Sequence, residues 1–155
     1  MKYILLPIFG GFIATLGITL VLWIIDKTGW TKADMVRAVG CLFTKSLDNA
    51  LKIGLMIHFT AGIIISGVYL HVLSLLNLPN FLSTVIVGAL IGFVHGFVVG
   101  FGIVIFAEHH PVEQFQEADF QVAVAHVVGH IVYGLLLGII FATLQKMGMD
   151  LSPAI

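Results

Sequence analysis

Residues 81–107 read FLSTVIVGALIGFVHGFVVGFGIVIFA, twenty-seven positions without a Lys, Arg, Asp or Glu. As a helix rising about 1.5 Å per residue the run is about 40 Å long, more than the roughly 30 Å of a bilayer's hydrocarbon core. It carries Gly88, Gly92, Gly96 and Gly100 at four-residue spacing. Residues four apart drift only about 40° around a helix, so these glycines form one groove into which another backbone can press. A barrel strand would alternate apolar and polar residues over about 10 positions, and this run does not alternate.

Three further stretches have the same character: Tyr3 to Ile25, Ile53 to Leu76 and Phe120 to Leu144, and every charged residue lies outside all four. In lipid the backbone must satisfy its own hydrogen bonds, which leaves helices for runs of this length. The chain is therefore read as an all-α bundle of four transmembrane helices over about 3–25, 53–76, 81–107 and 120–144, forming one integral membrane domain across residues 1–155. Composition agrees, with 59% apolar and 10% charged residues against about 25% charged in a soluble domain. A formal net charge of −1 gives no basic footprint for nucleic acid. Lys2 precedes an apolar run as in a signal peptide, but the run exceeds the roughly 7–15 residues of such a core and no small-x-small site precedes Asp26, so it is read as a retained helix. Cys41 is the single cysteine, without an internal disulfide partner, and is read as a small buried residue.

The substantial loop is Asp26 to Lys52. Thr31-Lys32-Ala33-Asp34 looks like a capping box, followed by Met35, Val36, Val39, Leu42 and Phe43 at helical spacing. A short amphipathic helix in the membrane interface is expected there, with Lys32, Arg37 and Lys45 toward headgroups and Trp23 and Trp30 in the aromatic belt. Asn77-Leu78-Pro79-Asn80 is a tight turn. The third loop carries Glu108, Glu113, Glu117 and Asp119 and no Lys or Arg. Such a run is ordinarily a solvated surface, although above intramembrane histidines it would suit a cation funnel or a basic partner. Lys27, Lys32, Arg37, Lys45 and Lys52 on the face of loops 1 and 3 outnumber Lys2 and Lys146 opposite, so loops 1 and 3 are expected in the cytoplasm and both termini outside.

Glycine spacing recurs beyond the third span. The second holds Gly54, His58, Gly62 and Ser66, and the fourth His126, His130, Gly134 and Gly138. Three such ladders point to close helix packing, within the bundle or against partner subunits. Gly11-Phe12 and Gly96-Phe97 open similar runs in the first and third spans, so two hairpins related by a pseudo-two-fold axis are expected. The segments His58-Phe59-Thr60-Ala61-Gly62 and His130-Ile131-Val132-Tyr133-Gly134, each followed four residues on by a small residue, resemble those of small prokaryotic four-helix membrane proteins that have no assigned activity. The resemblance covers most of the first, second and fourth spans. It implies the four-helix architecture and a prokaryotic inner membrane, and no reaction.

Seven histidines in so uncharged a chain are the chemical signal, because ionisable residues inside a membrane are costly and mark function. Counted from the face of loops 1 and 3, His58 lies about 8 Å deep, His126 about 9 Å, His130 about 15 Å and His95 about 18 Å. His126 and His130 project from one helix face and could grip a divalent transition metal, with His58, His95 or Glu108 as a further ligand and His109 and His110 above them. The bland alternative is a neutral histidine bonded to a carbonyl or hydroxyl of a neighbouring helix. A haem or other tetrapyrrole could take His58, His95 or His130 as axial ligand, with glycines leaving room for the ring. His95 and His109 are 14 apart, returning to one helix face about 21 Å along, whereas His58 and His71 point to different faces. One haem between the second and fourth spans is the version this spacing allows.

No catalytic residue is assigned. His126-Val127-Val128-Gly129-His130 resembles the zinc-binding pair of membrane metalloproteases, but Val127 stands where the general-base glutamate belongs. The expected role is a small accessory subunit of a larger membrane complex, respiratory or otherwise electron-transferring, whose glycine grooves pack against partner subunits and which holds a histidine-ligated cofactor. The alternatives are a metal-binding or transport protein acting as a homo-oligomer, and a metalloenzyme built on histidine boxes.

Overall fold

The computed structural model describes residues 2–32, 34–149 and 151. It contains five α-helices and, among the described residues, no strand: α1 (Lys2–Thr28), α2 (Met35–Thr44), α3 (Ala50–Leu76), α4 (Phe81–Phe106) and α5 (Phe120–Lys146), with short 3-10 turns at Ala107–His109 and Glu113–Phe115. Four of them are long and apolar enough to cross a membrane, the architecture of an integral membrane protein.

The long helices overrun their uncharged stretches where polar side chains can reach out of the apolar slab. Helix α1 takes in Asp26 and Lys27, α3 takes in Lys52, and α5 ends on Lys146; such residues extend their polar heads toward the interface. Helix α4 behaves differently. It ends at Phe106, before the charged residues, and His109 belongs to the 3-10 turn that follows. The fourteen residues from His95 to His109 therefore do not run through one α-helix.

Around the bundle, α4 packs most extensively on α5, α5 on α1, and α1 on α3, while α3 and α4 touch only sparingly. The seam between α3 and α4 is an apolar cleft lined by residues such as Ile65, Val68, Leu90 and Val94. The core sits where α1, α3 and α5 meet, around Ala14, Ile18, Tyr69, Ala125, Tyr133 and Leu137. Because every span is apolar on all sides, size and not polarity sorts its faces. Small residues turn inward, and Phe9, Ile64, Leu90, Val98 and Phe106 stand exposed toward the lipid, as expected where close van der Waals packing drives association.

The third-span glycines are the clearest case. Gly88, Gly92, Gly96 and Gly100 are all buried against the backbone of α5. A Cβ on Gly88 would stand 2.5 Å from the Gly134 carbonyl oxygen, one on Gly96 2.9 Å from Val127 Cα, and one on Gly100 2.7 Å from the Ala123 carbonyl oxygen. The groove expected for bundle or partner packing is filled by the chain's own last helix.

The short amphipathic helix expected between the first two spans is present as α2, with its start shifted. Its N-cap is Asp34, whose carboxylate accepts from the Arg37 N–H at 3.4 Å, so the helix starts at Met35 and not at the Thr31 capping box; Ala33 lies outside the described residues. Gly40 abuts the backbone of Ala50, and Gly54 abuts that of Val36. Helix α2 thus runs back along α3 with backbones in contact, and packs as part of the bundle. The Lys45 residue closes it in the left-handed conformation at φ 56°.

Candidate functional site

The glycine groove of α4 decides where two histidines stand. Gly92 faces the His130 carbonyl, Gly96 lies 2.8 Å from His130 Cβ by the position of an added Cβ, and Gly100 lies 3.2 Å from His126 Cβ on the same measure. With their backbone face pressed into the groove, His126 and His130 carry their rings inward to the centre of the bundle. There they meet His58 from α3 and His95 from α4 around a cavity of about 210 Å³, with Tyr133 on its wall. Met35, Val36 and Val39 of α2 close it at the end that bears loops 1 and 3.

Backbone carbonyls fix the tautomers. His126 Nδ1 lies 2.7 Å from the Val122 oxygen and His130 Nδ1 2.8 Å from the His126 oxygen. A carbonyl oxygen only accepts, so each ring donates from Nδ1, and in the neutral ring Nε2 carries a bare lone pair. His126 is 3% exposed, and its Nε2, like that of His58, is buried with no hydrogen-bond partner. Leaving such an atom unsatisfied costs about 1–3 kcal/mol, and buried polar atoms are otherwise nearly always paired.

The deeper side of the cavity is better satisfied. His95 Nδ1 is 3.0 Å from the Tyr69 hydroxyl, and the His95 ring packs edge-on against His130 with centroids 4.6 Å apart. The Tyr133 hydroxyl donates to the Gly62 carbonyl at 2.5 Å, tying α5 to α3 one turn beyond His58. Tyr69 and Tyr133 pack edge to face. Neither tyrosine was picked out from the sequence. The available signal was their depth, since tyrosines of membrane helices gather at the interfaces and these two sit in mid-span. The cavity-facing role of Met35, Val36 and Val39 had no sequence signal, because it exists only once α2 folds back along α3.

The remaining sequence candidates lie elsewhere. Glu108 and His109 are exposed. His110 is buried, but both ring nitrogens face backbone: Nε2–H donates to the Ala38 carbonyl at 3.0 Å and Nδ1 accepts from the Val112 N–H at 3.1 Å. It clasps the third loop to α2, which brings loops 1 and 3 to the same end of the bundle. Asp119, read as part of an acidic patch, is the N-cap of α5, accepting from the Val122 N–H at 3.0 Å. His71 is exposed, away from the cavity.

Among the described residues no group of three or more His, Cys, Asp or Glu side chains is arranged to hold a metal ion. The cavity's volume of about 210 Å³ is below the roughly 300–1,000 Å³ of sites for drug-sized molecules. The arrangement supplies instead a small, mostly apolar chamber with imidazole lone pairs on its wall. No curated protein and no solved structure matches the chain. Residues 1–150 match the family described as a family of unknown function, DUF6789, and with nearly the whole length covered the chain belongs to that family.

Proposed function

We propose that this protein is a small-ligand-binding membrane protein whose ligand sits among His58, His95, His126 and His130. The observation that carries the reading is the His126 ring, buried beside the cavity with its Nδ1–H committed to Val122 and its Nε2 lone pair unpartnered. A bound donor would satisfy that atom and recover the 1–3 kcal/mol or so that it costs unpaired.

This reading departs from an accessory subunit that packs on partners through glycine grooves, because the groove of α4 is filled by α5 and Gly11 lies against Ser66 and Ile63 of α3. The excess of Lys and Arg on loop 1 supports a cytoplasmic orientation for the end at which α2 closes the cavity. Native mass spectrometry of protein released from lipid nanodiscs tests the proposal. A small-molecule adduct should be present on the wild type and on His71→Ala and missing from His126→Phe. Identical profiles for all three would refute it.

A further inference from the structure

The three side chains that close the histidine cavity toward the loops, Met35, Val39 and Ile103, also bound a second cavity of about 260 Å³ on their other side. That second space lies between α2, the end of α4 and the third loop. Gly102 is on its wall, with nothing within 4 Å of where a Cβ would stand. Lys32, Gln114 and Glu117, all exposed, line its rim, so the crevice opens at the surface that carries loops 1 and 3. Surface crevice and histidine cavity thus share Met35, Val39 and Ile103 as a common apolar wall, and His110 ties the third loop beside the crevice to α2 at the Ala38 carbonyl.

We propose that this crevice is the vestibule through which the histidine cavity is loaded, and that the ligand is a small uncharged hydrogen-bond donor arriving from the loop side. The inference rests on the histidine cavity being a binding site and adds its entrance and its ligand class. Met35, Val39 and Ile103 offer an ion nothing to replace its water, and shedding that water into an apolar setting is prohibitive for an unpaired charge. Inside, the residues lining the cavity include no carboxylate to neutralise a cation. An anion would face the Nε2 lone pairs of His126 and His130. A neutral N–H or O–H donor of a few heavy atoms meets every condition: it crosses the partition undissociated, fits the volume, and satisfies His126 Nε2.

Ile65 and His95 border both the histidine cavity and the α3–α4 cleft, which makes a second approach. That cleft would admit a lipid-soluble molecule from the bilayer. It ends at a histidine whose Nδ1 is already paired with Tyr69, whereas the vestibule leads to the end where the unpartnered nitrogens of His58 and His126 lie.

Diethyl pyrocarbonate, a small uncharged reagent that acylates unprotonated imidazole nitrogen, reads the route. Full-length protein in nanodiscs is treated, and modification of His126 is followed by peptide mass spectrometry with exposed His71 as the internal rate standard. Gly102→Phe fills the vestibule without reaching the cavity and should slow His126 modification roughly tenfold or more, as should Val39→Trp at the partition, while Val68→Trp, which lies on the α3–α4 cleft and not on the histidine cavity, leaves the rate near wild type. Slowing by Val68→Trp alone would overturn the entrance in favour of the bilayer cleft. Formamide should protect wild-type His126 and formate, its near-isosteric anion, should not; protection by formate would overturn the ligand class. If His126 of wild-type protein that native mass spectrometry shows to carry no adduct stays unmodified after His71 has fully reacted, the cavity is closed, and the binding reading fails with the vestibule.

Discussion

Replacing Gly96 with Ala puts one methyl group into the α4–α5 interface, and the cost can be isolated from the helix-propensity gain that accompanies it. The new Cβ would stand 2.8 Å from His130 Cβ and 2.9 Å from Val127 Cα, where ordinary contact begins at 3.4 Å. Helix α5 must therefore back away by at least about 0.6 Å along the ladder, and a gap of 0.5–1 Å already forfeits a quarter to a half of each dispersion contact. Overpacking of this kind costs typically 1–3 kcal/mol. Ala also gains up to about 1 kcal/mol over Gly in a helix interior, which would blur a single measurement. Gly102 supplies the correction: it lies in the same helix with nothing within 4 Å of its Cβ position, so Gly102→Ala carries the propensity term alone. The expected result is that Gly96→Ala unfolds more easily than Gly102→Ala by about 1–3 kcal/mol, read by equilibrium unfolding of the detergent-solubilised protein in sodium dodecyl sulfate. Because His126 and His130 are carried on the displaced backbone, Gly96→Ala should also alter the reagent accessibility of both. Equal stabilities for the two variants would refute the claim that α5 fills the groove.

Nitrogen-15 spectra of histidine-labelled protein should show His126 and His130 as Nδ1–H tautomers with an unprotonated Nε2, since each Nδ1 faces a carbonyl oxygen; Nε2–H signals from both would contradict the backbone bonds. Asp119→Ala removes the carboxylate that caps α5 and should cost about 0.5–2 kcal/mol, again by equilibrium unfolding. The Cys41 thiol is buried on α2, and burial pushes its pKa up despite the nearby Arg37 guanidinium, so the reactive thiolate becomes populated only at a more alkaline pH than in a free cysteine. Maleimide labelling at neutral pH should therefore be slow in the folded protein and fast once it is unfolded, and equal rates would show that the α2–α3 contact opens freely.

The sequence alone determined the class of this protein, because the bilayer imposes its rule on a linear property. Long runs without Lys, Arg, Asp or Glu have one way to satisfy their backbone in lipid, and the four spans lie within three residues of where composition put them. It also marked the groove on α4, since glycine at every fourth position says that a backbone comes close. It did not say which backbone. The assignment of that groove to α5, and with it the inward aim of His126 and His130, is decided by how helices of nearly uniform polarity sort by size, a property of pairs of surfaces and not of one chain segment. The histidines were visible as expensive residues at one end of the bundle, but not that His58, His95, His126 and His130 share one chamber while His110 clasps a loop. That division turns on whether each ring nitrogen meets a carbonyl, a hydroxyl or empty space, and those partners lie as far as 72 residues away along the chain. Helix α2 is the sharpest case. Its residues read as amphipathic in isolation, and only its folding back along α3, permitted by Gly40 and Gly54 where two backbones touch, makes Met35 and Val39 the wall between the surface and the histidine cavity.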